Sequence, residues 1–131
     1  MKGRYLSGAA SVRGNRVEYV PELSMRTGLT LKTGPFSLNY MYSWTGDQYS
    51  DATNAEYVVD ATRGIIPAYQ VHDLGLSYHH KLANIELQVN NLMDARYFTR
   101  RATAYPGPGI IPAQARAVFL TLELKLEQFF K

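Results

Sequence analysis

Hydrophobic and polar residues alternate with period 2 along five stretches of this chain, the pattern of strands with two unlike faces. In the first, Leu23, Met25, Thr27, Leu29 and Leu31 face one way, and Ser24, Arg26, Gly28, Thr30 and Lys32 the other. In the second, Phe36, Leu38, Tyr40, Tyr42 and Trp44 oppose Ser37, Asn39, Met41, Ser43 and Thr45. The third sets His72, Leu74, Leu76, Tyr78 and His80 against Val71, Asp73, Gly75, Ser77 and His79. The fourth sets Ala83, Ile85, Leu87 and Val89 against Asn84, Glu86, Gln88 and Asn90. The fifth sets Val118, Leu120, Leu122, Leu124 and Leu126 against Ala117, Phe119, Thr121, Glu123 and Lys125. The alternation predicts strands over about 22–33, 36–46, 68–80, 83–91 and 115–126. No stretch sustains a period of 3.6, so almost no helix is expected.

The connections carry as much information as the strands. Thr33-Gly34-Pro35 makes a tight turn between the first two strands, and a few residues near Lys81-Leu82 join the third to the fourth. Long connections are expected over about 8–21, 47–67 and 91–114. Short and long joins therefore alternate. Antiparallel neighbours would place all short turns at one end of the sheet and all long loops at the other. Outer-membrane barrels have that asymmetry, with short periplasmic turns and long extracellular loops.

The faces differ in charge. The apolar rows carry almost none, whereas Arg26, Lys32, Asp73, Glu86, Glu123 and Lys125 lie on the opposite faces. In a barrel this puts the apolar rows toward lipid and the charges toward a wet lumen. Phe36 beside the short turn, and Tyr42 and Trp44 near the long loop, are placed like two aromatic girdles. Phe36 to Trp44, at ~3.3 Å per residue and a ~45° tilt, rises roughly 19 Å, somewhat under the ~25 Å apolar band of such barrels. A soluble antiparallel sheet lying on a core, as in a sandwich or a lipocalin-like carrier, shares the same alternation. The two arrangements differ in whether the Leu, Tyr and Trp side chains end up covered.

Composition narrows the classes. Hydrophobic residues make up 46% of the chain, enough to exclude a disordered polypeptide. Ten Tyr against five Phe and one Trp favour surroundings in which a ring is apolar and its hydroxyl wet, such as membrane interfaces and binding loops. The absence of Cys excludes disulfides, thiolate metal sites and a Cys nucleophile. A formal charge of +3, scattered along the chain, does not form the basic stripe of a nucleic-acid footprint. The N-terminal residues lead into no apolar run of signal-peptide length, and no stretch reaches the ~18 apolar residues of a membrane helix.

Four motifs, in order, carry a family resemblance. The run Val89-Asn90-Asn91-Leu92-Met93-Asp94-Ala95-Arg96-Tyr97 resembles the N-N-L-F-D-x-x-Y segment near the C-terminus of TonB-dependent receptors. The continuation from Tyr97 through Arg100-Arg101 and Tyr105-Pro106-Gly107-Pro108-Gly109 to Pro112 resembles the final loop of the ferric-dicitrate subgroup. Upstream, Gly14 to Glu22 resembles the family's G-x-x-V-P-Y-V-P start of a descending strand. Ile66-Pro67-Ala68-Tyr69, followed by Asp73-Leu74, resembles its I-P-x-Y-x-x-x-D strand start. The resemblance spans about Tyr5 to Leu126. It implies the last five or so strands of a 22-stranded outer-membrane barrel, an all-β antiparallel up-and-down meander. It also implies uptake of a ferric chelate, citrate-like, with energy supplied through TonB.

On that reading the chain is expected to be a fragment, without the family's N-terminal plug and unable to transport alone. The partners implied are the ferric chelate, outer-membrane lipid, TonB through a missing N-terminal part, and the barrel-assembly machinery. The family's usual terminal aromatic residue is absent, with Phe130 one residue from the end. A soluble ligand-binding module of lipocalin type is the second reading.

The long loops hold the candidate chemistry. The last carries Arg96, Arg100 and Arg101 against Asp94, and the middle one Asp47, Asp51, Glu56 and Asp60 against Arg63. Arg63, Tyr97, Arg100, Arg101 and Tyr105 are the candidate ligand contacts. Arginine offers fork-shaped donors to a carboxylate-rich iron chelate. Lipopolysaccharide phosphates, the acidic loop and plain solvation are the competing uses of the same arginines. His79 and His80 point to opposite faces of a strand and do not chelate one ion together. Asp47, Asp51 and Asn54 lack calcium-loop spacing. In Pro106-Gly107-Pro108-Gly109 each proline removes a donor that a phosphate cradle needs, leaving a stiff turn. No catalytic residue, metal site or cofactor is expected.

Overall fold

The computed structural model describes residues 3–104 and 108–125; Tyr105, Pro106, Gly107, Leu126 and Phe130, named above, lie outside the described residues. Among the described residues nine strands follow one another: β1 (Ser24–Thr33), β2 (Phe36–Thr45), β3 (Gln48–Tyr49), β4 (Ile65–Ile66), β5 (Tyr69–His79), β6 (Ala83–Asn90), β7 (Phe98–Ala102), β8 (Gly109–Pro112) and β9 (Ala117–Leu124). The long strands form one sheet in the order β1-β2-β5-β6-β9, so each pairs with the next long strand along the chain. This is the all-β antiparallel meander that the alternation predicts, and none of the described residues is helical.

Two features were not predicted. The middle and last long connections each contribute to a small antiparallel ribbon, β3–β4 and β7–β8. Strands of two to five residues are too short to show a period, so only their tertiary partners define them.

By contact the chain divides into two compact units. A loop unit comprises Met1–Met25, Trp44–Gln70 and Arg96–Ala113; a sheet unit comprises Arg26–Ser43, Val71–Ala95 and Gln114–Lys131.

In the sheet unit, register aligns like with like. Leu76 pairs with Leu87 and Tyr78 with Ile85; across the next ladder Ile85 pairs with Leu122, Leu87 with Leu120 and Val89 with Val118. The polar rows align as well. Glu86 lies between Ser77 and Thr121, and Asn84 Nδ2 donates to Glu123 across the β6–β9 ladder at 2.7 Å. A slip of one residue would exchange the faces, so this register is strongly specified. The short turn between β1 and β2 is set by Gly34, whose φ of 53° is one that L side chains rarely adopt. The next short turn is tied to it where the His79 N–H donates to the Pro35 carbonyl at 2.8 Å.

The apolar face is uncovered. Leu120 is 72% exposed, Leu122 61% and Phe36 56%. Among the described residues Ile66, in the loop unit, is the one hydrophobic residue that is fully buried. A sandwich or lipocalin-like carrier needs these side chains sealed in a core; here they are not. Burying one such side chain is worth about 1.5–3 kcal/mol, so leaving this face in water is costly.

Candidate functional site

The loop unit is organised rather than slack. Arg16 is at its centre: Nη1 donates to Asp47 Oδ2 at 2.9 Å, Nη2 to the Asp47 carbonyl at 2.7 Å, and Nε stands 3.8 Å from Glu22. Its guanidinium also lies over the Tyr49 ring, 5.1 Å from the centroid. Asn54 accepts from the Arg16 N–H at 2.7 Å and returns a bond to the Arg16 carbonyl at 2.8 Å. Asn15 Nδ2 reaches the Ala52 carbonyl at 3.0 Å. The first long connection is thereby latched to the second. Arg16 was not singled out as a site residue, although it lies in one of the family-like motifs, and Asn54 was weighed only as part of a calcium-loop pattern whose spacing does not fit.

A second latch runs through Arg101. Nη1 donates to the Ala61 carbonyl at 3.0 Å and Nη2 to that of Ile65 at 2.9 Å, while the guanidinium sits 5.2 Å from the Phe98 centroid. The chain passes this close because Gly64 has no side chain. A Cβ there would lie 2.8 Å from the Glu56 carbonyl oxygen and 3.3 Å from Arg101 Cζ. The buried Ser50 hydroxyl accepts the Gly64 N–H at 2.9 Å.

Arg100 behaves differently from its neighbour. Successive residues of a strand project to opposite sides, and Arg100 is exposed where Arg101 is half-buried. Together with Tyr19, Gln48 and Thr99, both line a polar depression of about 440 Å³. Of the other candidates, Arg63 is exposed and 3.9 Å from Asp51, and Tyr97 is stacked on Tyr69 with centroids 4.3 Å apart. Tyr105 lies outside the described residues. The arginines named together in the sequence thus divide into one that holds loops and one that faces outward.

Two loop groups have shifted acidities. The Thr62 hydroxyl and N–H donate to Asp60 at 2.8 and 3.1 Å and hold its carboxyl below the usual range. The Tyr5 phenol donates to Glu18, which raises its pKa above the usual tyrosine value. The histidines on the short turn part company: His79 Nδ1 faces Asn84 Oδ1 at 3.2 Å, and His80 stacks beside Tyr78.

In the sheet unit, Asn91 gives the strongest family-like motif its physical meaning. It is 4% exposed with a φ of 51°. Its Oδ1 accepts the Ala95 N–H at 2.9 Å, and its Nδ2 donates to the Ala95 and Gln114 carbonyls at 3.0 and 3.2 Å. The Asn91 N–H goes to Asp73 Oδ1 at 2.9 Å, and Asp94 Oδ1 accepts the Arg116 N–H at 2.9 Å. The motif thus ties the end of β6 to both neighbouring strands. Its role is architectural.

Residues 2–92 match the family described as "TonB dependent receptor-like, beta-barrel". The chain belongs to this family, whose members are β-barrel proteins of the Gram-negative outer membrane. Among solved structures it is similar to the ferric citrate transporter FecA in its unliganded form, with a TM-score of 0.77 at 22% identity over 88% of this chain. It is also similar to the siderophore receptor PiuA from Acinetobacter baumannii, with a TM-score of 0.69 at 26% identity over 85%. The ferric-catecholate import receptor Fiu from E. coli K12 gives 0.67 at 22% identity over 81%. The chain spans 18%, 15% and 16% of those three structures. No curated protein matches the chain significantly.

Proposed function

We propose that this chain is the C-terminal part of the barrel of a receptor that takes up a ferric chelate across the outer membrane, with TonB as the energy-coupling partner. The observation that carries the reading is the division of labour in the chain. One sheet face is apolar, in register and uncovered, while the loops are latched into a polar unit that presents Arg100. On this reading the wall meets lipid and the loops meet ligand. Phe36 at one end of β2, and Tyr42 and Trp44 at the other, are the interfacial girdles. Insertion is the work of the barrel-assembly machinery, and the protein is a receptor rather than an enzyme.

The cargo is proposed to be an anionic, citrate-like chelate. Arg100 supplies a planar two-pronged donor, and Tyr19, Gln48 and Thr99 add hydroxyl and amide groups around it. Tyr97, Tyr105 and Arg63 remain proposed contacts on the same loops. Arg101 contributes by fixing the loop that carries Arg100. The likeness to FecA, whose named cargo is ferric citrate, supports this class.

The test is binding of ferric citrate to the full-length receptor after Arg100→Ala. Losing a charge-assisted hydrogen bond predicts roughly tenfold or more weaker binding. Arg100→Lys keeps the charge but loses the fork and should fall between. Unchanged affinity in both variants overturns the assignment of Arg100.

A further inference from the structure

The depression beside Arg100 contains a polar group that the fold leaves unpaired. Gln48 is 6% exposed, yet its side-chain amide has no hydrogen-bond partner among the described residues. Buried polar groups are paired in the great majority of cases, and one left unpaired is destabilising. The neighbouring strand offers it nothing. In the β3–β4 ribbon Gln48 stands opposite Ile66, which is apolar and fully buried. The little surface that Gln48 keeps lines the depression, together with Tyr19, Thr99 and Arg100.

Arg16 does not line the depression, but it grips the chain on both sides of Gln48. On one side its guanidinium donates to the Asp47 carboxylate at 2.9 Å and to the Asp47 carbonyl at 2.7 Å. On the other it lies over the Tyr49 ring, 5.1 Å from the centroid. Neighbouring residues of a strand project to opposite sides. With Asp47 and Tyr49 both turned toward Arg16, the Gln48 side chain between them is turned away from it, into the depression. The Tyr49 carbonyl also accepts the Tyr19 N–H at 2.8 Å, and Tyr19 has a φ of 56°, rare for a bulky residue. Two of the groups that line the depression, Gln48 and Tyr19, are thus held by the strand that Arg16 grips.

We propose that Arg16 is a positioning residue of the chelate site, holding β3 so that the buried Gln48 amide donates to a carboxylate oxygen of the bound chelate. Arg100, exposed at the rim, meets the charge of the ligand; Gln48, at the buried side, supplies a neutral donor whose direction is fixed. The unpaired amide is unfavourable in the empty receptor and gains its partner only when the site is filled. A lysine at position 16 would keep a charge for Asp47 but not the second prong or the planar face over Tyr49. The inference rests on the chelate reading of this depression, to which it adds one ligand contact and the residue that sets it.

The experiment is titration of the full-length receptor in detergent with ferric citrate, alongside limited proteolysis of the empty receptor. Gln48→Met keeps the shape of the side chain and removes the amide. Its empty loops should resist proteolysis at least as well as the wild type, while affinity falls roughly tenfold, the loss of one hydrogen bond to a charged group. Arg16→Lys should weaken binding as well. In the Arg16→Lys background Gln48→Met should then have little further effect, whereas Arg100→Ala should keep its full effect. If Arg16→Lys abolishes both effects alike, it has merely loosened the loops and the positioning role is overturned. Effects of Gln48→Met and Arg16→Lys that simply multiply overturn it too. Unchanged affinity after Gln48→Met, in a receptor that Arg100→Ala weakens, overturns this inference and leaves the chelate reading standing. If neither Gln48→Met nor Arg100→Ala alters affinity, the chelate reading of the depression falls and this inference with it.

Discussion

The carbonyl oxygen of Ile65 accepts a 2.9 Å hydrogen bond from the Arg101 guanidinium, joining two loops that are 36 residues apart in sequence. This bond and its companion to Ala61 make Arg101 the clasp of the loop unit. Arg101→Ala should leave both carbonyls without that partner, at a cost of about 1–3 kcal/mol each where water does not replace it. Limited proteolysis of the full-length receptor in outer membranes should show faster cleavage within 47–67, while Arg100→Ala leaves the cleavage rate unchanged. Equal protection in the two variants would show that the clasp does not hold the loop.

Gly64 combines a φ of 142° with a Cβ position only 2.8 Å from the Glu56 carbonyl oxygen. Gly64→Ala therefore adds backbone strain of order 1–3 kcal/mol to a steric clash. Hydrogen exchange should show lost protection at Ile65 and Ser50, whose amides bond to Glu56 and Gly64. The sheet ladders between β5, β6 and β9 should keep theirs.

Asn91→Ala removes one acceptor and two donors from a buried turn whose φ favours Asn or Gly. Each buried carbonyl left unpaired costs about 1–3 kcal/mol. The measurement is the fraction of barrel that resists unfolding in SDS on an unheated gel, which should fall. Asn91→Gly, which keeps the backbone but not the bonds, should fall as well, separating hydrogen bonding from strain.

Asp60 bears on acid sensitivity. Its folded-state pKa is lowered, so the turn at Asp60–Thr62 gains stability above the ordinary carboxylate value of 3.8 and loses it as pH falls through the folded value. The Thr62 amide, followed by hydrogen exchange against pH, should therefore be protected near neutrality and lose protection only in strong acid. Thr62→Val, which deletes the hydroxyl donor, should move that loss to higher pH. No movement would show that the hydroxyl does not set the shift.

Much of the sheet was legible because a strand's side chains repeat every two residues, and its register turns a one-dimensional pattern into a face. Leu120 and Leu122 share a side with Leu87 and Ile85 for that reason. The family-like motif around Asn91 was legible as a resemblance, but its physical meaning needed coordinates, since its partners lie on other strands. The loop site was the least legible. Adjacent Arg100 and Arg101 look equivalent as letters, and the alternation rule applied to His79 and His80 already separates them. Arg16 gave no sign of its role, because Asp47 and Asn54 lie more than 30 residues away.

By itself, the sequence determined the two-faced strands, their approximate limits and the alternation of short and long connections, because these follow from local periodicity and turn chemistry. Tertiary structure alone decided that the apolar face stays uncovered, that the long loops are latched, and that one arginine of a pair is a clasp while the other is free to face solvent. Those outcomes depend on contacts between residues distant in the chain, which no local pattern encodes.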